Sequence, residues 1–251
     1  ILEREEGRSV KVAMRSSPLG EDLSGSSFAG QYRSELNVSG ENILQAYKGI
    51  IASKYGLPAM TYRLNRGIRD EDAAMCVGCI EMVDAICGGV MYSRNPLDFR
   101  NKAIVINSVW GLPKSVVDGS APVDLFVISR EEPMEIIQKE IPSKKEKFVC
   151  YPHEGVCRLE ITGDESALPS LNDKQVFELA RVAVKLEDYY DAPQDMEWAI
   201  QKDGSIILLQ CRPLLQMEER RARHIKMPDE DEPAPVILRG GVPASPGVAS
   251  G

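Results

Sequence analysis

The run Gln194-Asp195-Met196-Glu197-Trp198-Ala199-Ile200, followed by Gln201-Lys202-Asp203-Gly204 and then by Ser205 to Arg212, brings two carboxylates, an amide and an arginine into one short stretch. Asp-Gly between two alternating runs signals a two-residue hairpin. With Asp203 and Gly204 as the turn, Lys202 pairs with Ser205, and counting outward sets Glu197 opposite Gln210 and Asp195 opposite Arg212. Side chains alternate along a strand, so these four polar groups share one face, while Met196, Trp198, Ile200, Ile207, Leu209 and Cys211 share the other and can pack on a core. Directly opposed residues have Cβ atoms ~4.5–5.5 Å apart. Glu197 and Gln210 can then share one hard cation such as Mg²⁺, which takes oxygen ligands and keeps positions for phosphate and water. Arg212 can hold a phosphate oxygen beside it. The plainer alternative is an Asp195–Arg212 cross-strand ion pair on a solvated face, worth under ~1 kcal/mol. Ala199 and Leu208, counted onto the same face, favour a lined cleft.

A second candidate lies near the start. Arg15-Ser16-Ser17-Pro18-Leu19-Gly20-Glu21-Asp22-Leu23-Ser24-Gly25-Ser26-Ser27-Phe28-Ala29-Gly30 follows one expected strand and precedes another. Small residues let backbone amides approach an anion, hydroxyls add donors, and Arg15 supplies fixed positive charge at the strand end. The stretch is neither the Gly-x-Gly-x-x-Gly of dinucleotide folds nor a P-loop with its Gly-Lys-Ser or Gly-Lys-Thr. By composition alone a disordered surface loop is the alternative, and the less favoured, reading.

The elements that must position these groups follow from periodicity. Ser9 to Met14 and Gln31 to Val38 read as strands around the loop. Ser39 or Gly40 opens an amphipathic helix through Ile43, Leu44, Tyr47, Ile50 and Ile51, ended at Gly56, and Pro58 starts another. Ala74 to Tyr92, broken at Gly88-Gly89, and Lys102 to Ile106 form the expected central sheet, with further strands at Asp124 to Ile128 and Lys147 to Tyr151. Between these last two, Glu131 to Lys147 is charged and reads as a surface excursion. Asn172 or Asp173 caps a long helix to about Tyr190, with Val176, Leu179, Ala180, Ala183 and Leu186 as its buried stripe. Sheet and helix mix without regular alternation, which predicts an α+β fold.

With 251 residues, 43% of them hydrophobic, the chain can bury a real core. Its apolar runs are far shorter than the ~18 residues of a membrane span, and Ile1 to Gly7 is charged, so no membrane partner is expected. A net charge of −8 argues against nucleic acid, because binding a polyanion needs a basic surface. Six unevenly spaced cysteines do not form the framework of a small secreted domain, and a reducing cytoplasm is expected. Cys76 and Cys79 form no zinc set with a second pair and are expected to be buried structural thiols in a core strand.

Taken together, these residues resemble the nucleotide-binding domain of the phosphoenolpyruvate synthase (pyruvate, water dikinase) and pyruvate phosphate dikinase family, to which rifampin phosphotransferase is related. The family's Arg-Ser-Ser, Glu-Asp and Gly-x-Ser-Phe-Ala-Gly match Arg15 to Gly30. Its Gln-Asp-Ile-Glu-Trp and Leu-Gln-x-Arg-Pro match Gln194 to Trp198 and Leu209 to Pro213, and its Ser-Gly-Val-Met-Phe-Thr-x-x-Pro resembles Gly88 to Pro96. The resemblance implies an ATP-grasp fold with ATP and Mg²⁺ as ligands. It implies that Arg15 and Arg212 act in catalysis and hold phosphate, that Glu197 and Gln210 ligate Mg²⁺, and that Asp195 belongs to the nucleotide site. Gly25, Ser26, Ser27, Phe28, Ala29 and Gly30 would cover the phosphates, and Glu81 and Met82 would lie beside the adenine.

In the family, phosphate passes from ATP to a histidine on a swivelling domain and then to pyruvate, giving phosphoenolpyruvate, AMP and phosphate. That histidine is expected beyond Gly251, since neither His153 nor His224 stands in its motif. The implied partners are the phosphohistidine domain and the pyruvate/phosphoenolpyruvate barrel of the same polypeptide, and a homodimeric parent enzyme is open.

The chain opens without Met and stops inside Gly-Val-Pro-Ala-Ser-Pro-Gly-Val-Ala-Ser-Gly, so both ends are expected to be cut and the N-terminal lobe, with its Gly-Gly-Lys segment, truncated. Residues 1–215 would be the nucleotide-binding domain, 216–238 a charged and Pro-rich linker, and 239–251 the start of the swivelling domain. Two departures stand out: Ile80-Glu81-Met82-Val83 where relatives read Val-Gln-x-Met-Val, and Ser24 in place of Pro. Glu81 also leaves open a non-catalytic regulatory module, and the resemblance by itself leaves open a pyruvate phosphate dikinase or an antibiotic-phosphorylating relative, which the sequence beyond Gly251 would separate.

Overall fold

The structure, a computed structural model, describes residues 10–18, 32–117, 119 and 121–214. β1 (Val12–Pro18) lies between β2 (Ser34–Val38) and β3 (Met75–Glu81) in a three-stranded antiparallel sheet. β1 runs further than the Ser9 to Met14 expected, so Arg15 is within the strand and not at its end. β2 is followed by a single 3-10 turn, Gly40–Asn42, and by α1 (Ile43–Ala52) and α2 (Leu57–Arg66). Val12, Met14, Val38 and Ile50 form the core of this part, with Ile43, Ala46 and Val77 packed on it. The buried stripe of α1 therefore runs Ile43–Ala46–Ile50, and Leu44 and Tyr47, expected to be part of it, lie one position round the helix and are exposed.

The larger sheet joins β4 (Ala85–Tyr92), β5 (Ile104–Trp110), β6 (Asp124–Ile128), β7 (Ile136–Glu140), β10 (Gln194–Gln201) and β11 (Ile206–Pro213) in the order β11-β10-β4-β5-β6-β7, every pair antiparallel. A single helical turn, α3 (Lys114–Val117), follows β5, and β8 (Glu146–Cys150) with β9 (Val156–Glu160) makes a separate hairpin. Two expectations change. Ala74 to Tyr92 is two strands in two different sheets, divided at residues 82–84 and not at Gly88-Gly89. Those glycines are inside β4: a Cβ on Gly89 would collide with the Asn107 carbonyl of β5, and one on Gly88 would sit 2.9 Å from Pro113 Cδ and 3.0 Å from the Trp198 carbonyl. The charged excursion of 131–147 supplies β7, an edge strand whose outward residues can be polar because it pairs on one side only.

α4 (Asp173–Tyr190) begins with a capping box, in which the Asn172 side chain accepts from the Gln175 amide and the Gln175 side chain accepts from the Asn172 amide. Its Val176, Leu179, Ala180 and Ala183 pack on Met91, Ile104, Ile106, Phe126, Ile128, Met196, Trp198 and Ile200 of the sheet. The other side of β10 meets a smaller cluster, in which Ala85, Leu112 and Ala199 are buried against Met82, Val83, Phe148, Cys150, Val156 and Leu209.

The β8–β9 hairpin ties the two larger sheets together. The Leu112 amide donates to the Phe148 carbonyl at 2.8 Å, while the buried side chain of Asn37, beside β2's last residue, donates to the carbonyls of Tyr151 and Gly155 at 2.8 and 2.7 Å. The result is a mixed helix and sheet architecture of the α+β class. All described residues fall within the unit Ile1–Leu215; the second unit, Gln216–Gly251, with the expected linker and swivelling-domain segment, lies outside them.

Candidate functional site

The site grows from the register of β10 on β11. The Gly204 amide donates to the Gln201 carbonyl at 2.9 Å and the Gln201 amide to the Ser205 carbonyl at 3.0 Å, with Gly204 at φ +85. The turn is thus a three-residue loop closed by a left-handed glycine, and Gln201, not Lys202, faces Ser205. Pairing near the turn is displaced by one residue, Trp198 facing Leu208 and Ala199 facing Ile207. A bulge then absorbs Leu209, and beyond it Glu197 faces Gln210 and Asp195 faces Arg212, as counted from the sequence. The two displacements cancel at the polar end. They also exchange apolar residues: Ile206 in place of Ile207 packs toward α4, Leu209 turns to the Ala199 side, and Leu208 shares the Trp198 face.

Arg15 reaches Glu197 from the other sheet. Its Nη1 donates to Glu197 Oε2 at 2.9 Å and its Nη2 to Oε1 at 3.2 Å, a bidentate contact that joins β1 to β10. Beside it Arg212 Nε donates to Asp195 Oδ2 at 2.9 Å, with Nη2 at 2.7 Å from the same oxygen. The arginines are about a third exposed, 32% and 34%, whereas Glu197 and Asp195 are 15% and 13% exposed. The Asp195–Arg212 pair therefore forms, but its carboxylate is largely withdrawn from solvent. Burial pushes the Asp195 carboxyl above its usual range, Arg212 pulls it back, and Glu197, two residues along the same face, pushes it up again.

Two residues share this face without having been singled out in the sequence. Tyr92 of β4 stands directly opposite Asp195, and Asn107 of β5 stands opposite Val90, which itself faces Glu197. Alternation along β4 would have indicated the face of Tyr92; only the pairing of β4 with β10 indicates its neighbours.

Among the described residues no three His, Cys, Asp or Glu side chains cluster to hold a metal on their own. Glu197 and Gln210 offer oxygen donors side by side, the small protein contribution that suits a Mg²⁺ held mainly by phosphate and water. Asp195 and Glu197 place two like charges two residues apart on one strand, which a cation offsets. The donor set fits Mg²⁺.

Glu81 ends β3 opposite Val12, and the Met82 amide donates to the Lys11 carbonyl at 2.9 Å. Met82 packs in the cluster that includes Ala199 and Leu209, so an apolar wall adjoins the polar end of the hairpin. Gly25, Ser26, Ser27, Phe28, Ala29 and Gly30 lie outside the described residues, as does His224, and His153 is exposed. Cys76 and Cys79 are exposed, contrary to expectation, because β3 is the edge of its sheet and not a core strand. Burial pushes the Cys87 thiol up to about 12 and the Cys150 thiol up to about 11, which leaves neither as a thiolate at neutral pH. No helix among the described residues is long and apolar enough to cross a membrane.

Residues 1–232 match the pyruvate phosphate dikinase AMP/ATP-binding domain. The phosphoenolpyruvate synthase of Aeropyrum pernix is 37% identical over 273 residues, spanning 96% of this chain and 33% of that protein. The phosphoenolpyruvate synthase of Pyrococcus furiosus is 33% identical over 250 residues, with 96% and 30% covered. The rifampicin phosphotransferase of Bacillus cereus is 33% identical over 203 residues, with 80% and 23% covered. The chain spans a third or less of the length of these relatives. It belongs to the pyruvate phosphate dikinase AMP/ATP-binding domain family.

Proposed function

We propose that this chain holds Mg·ATP for a phosphotransferase of the phosphoenolpyruvate synthase kind, converting ATP, pyruvate and water to phosphoenolpyruvate, AMP and phosphate through a phosphohistidine outside the chain. The observation that carries the reading is the bidentate contact of Arg15 with Glu197, which sets a β1 arginine against a β10 carboxylate across two sheets. An ATP-grasp fold, in which nucleotide lies between two sheets, accounts for that arrangement. The six thiols are free, which suits the cytoplasm.

Glu197 and Gln210 are the residues to hold Mg²⁺. Their side-chain oxygens would hold the ion, which would supply Lewis-acid charge against the nucleotide phosphates. The bidentate contact engages two of Arg15's five guanidinium donors, leaving others for phosphate oxygens. Asp195 orients Arg212 toward the same anion, Met82 and Glu81 flank the base, and Gly25 to Gly30 cover the phosphates. Phosphoryl transfer needs little covalent help from a protein, so positioning and fixed positive charge carry the chemistry.

Calorimetric titration of the full-length protein with Mg·ATP, together with detection of phosphohistidine, tests this. Glu197→Ala and Arg212→Ala are expected to lower affinity at least tenfold and to suppress phosphohistidine; wild-type behaviour in both would refute the assignment. The similarity to a rifampicin phosphotransferase over 80% of the chain supports a second reading, with rifampicin as the acceptor. Product analysis with pyruvate and with rifampicin separates the two.

A further inference from the structure

Asp195 is the centre of a cross-strand row. Arg212 faces it from β11 and Tyr92 faces it from β4. Opposed residues in a sheet point to the same side, with Cβ atoms ~4.5–5.5 Å apart. Tyr92 consequently shares the face of Asp195 and Arg212, and that of Glu197 and Gln210 one step along the strands. Met91, the preceding residue, is wholly buried on the opposite side against α4, which fixes the strand's orientation and hence that of Tyr92.

The phenol is half-buried. Burial pushes its ionisation up, Asp195 pushes it further and Arg212 pulls it down, so both charges act on the ring. Its hydroxyl forms no hydrogen bond with another described residue. A neutral hydroxyl that shares a sheet face with a guanidinium, on the far side of Asp195 from it, is a donor suited to an anionic ligand that spans this row and that the guanidinium also holds.

We propose that Tyr92 is a further ligand-binding residue of this site, its hydroxyl donating a hydrogen bond to the phosphate oxygen that Arg212 holds. This rests on the Mg·ATP reading and deepens it by adding β4 to the strands that touch the polyphosphate. The family pattern carries phenylalanine at this position, so the ring alone serves packing and Tyr92→Phe removes only the donor.

The test is calorimetric titration of the full-length protein and its Tyr92→Phe variant with Mg·ATP, with unfolding midpoints measured on both without nucleotide. A hydrogen bond to a charged acceptor corresponds to about a tenfold change in Kd. The expected result is that weakening at an unchanged unfolding midpoint. An unchanged Kd overturns the assignment, and so does a weaker Kd accompanied by a lowered midpoint, which would make Tyr92 a packing residue. Absence of Mg·ATP binding by the wild-type protein would instead overturn the Mg·ATP reading, and Tyr92's role with it.

Discussion

Replacing Lys144 with Met should destabilise the protein by an amount set by the carboxylate left behind. Lys144 and Asp124 are ion-paired at 2% and 0% exposure, so neither reaches solvent. The second Asp124 oxygen accepts from the Ser170 amide and hydroxyl, both at 2.7 Å, and the Ser170 hydroxyl lies 2.7 Å from that of Ser108 on β5. Lys144 Nζ also donates to the Pro142 carbonyl at 3.1 Å.

Methionine nearly matches the lysine stem in volume and leaves packing intact, but it orphans a buried charge. Breaking such a pair from one side costs about 3–5 kcal/mol. For a domain of this size, about 2–4 °C per kcal/mol turns that into a fall in Tm of roughly 6–20 °C. Denaturant unfolding followed by tryptophan fluorescence reads it directly, since Trp198 is buried in the main core. Lys144→Met/Asp124→Asn removes the stranded charge while keeping an acceptor for Ser170, and should recover most of the loss. A loss below about 1 kcal/mol in the single variant, or no recovery in the double one, would refute the account.

The remaining predictions concern the sheet and the acid limb of stability. Gly89→Ala forces a Cβ into the Asn107 carbonyl and to 2.9 Å from Trp198 Cζ2, and should cost about 1–3 kcal/mol by thermal unfolding. Gly40→Ala, with nothing within 4 Å, should stay within about 0.5 kcal/mol. Burial pushes the Glu187 carboxyl up, but hydrogen bonds from Arg94, Ser93 and Arg130 outweigh it and hold the group below 4.5. Its contribution is present above that value and is lost as pH falls through its folded pKa, so Glu187→Gln should flatten the acid loss of stability. Asp195 has the opposite sign: its raised pKa makes its contribution fall as pH rises above 3.8, and Asp195→Asn should steepen the same acid limb. Unfolding free energies measured between pH 3 and 7 distinguish these two slopes.

Local chemistry made several elements legible. Asn172 and Gln175 announce the start of α4, and the spacing of Val176, Leu179, Ala180 and Ala183 marks the face it buries. Asp124–Ile128 reads as a strand from its run of β-branched and aromatic residues. The hairpin was legible at its polar end for a partly fortunate reason, because a longer turn and a bulge offset each other. Its apolar faces were misassigned between them, since a bulge depends on how β10 is gripped by β4 and α4, and nothing in the sequence of β11 records that.

Of the site, the sequence alone determined that Asp195, Glu197, Gln210 and Arg212 belong to one hairpin, because turn residues and period-two alternation act over a few neighbouring positions. Only the tertiary structure decided that Arg15, 182 positions away from Glu197, closes on that carboxylate, that Tyr92 completes the row through Asp195, and that Cys76 and Cys79 lie on an edge. Strand order is set by which apolar faces can be buried together across the whole chain, and that is a property of the packed layers and not of any local spacing.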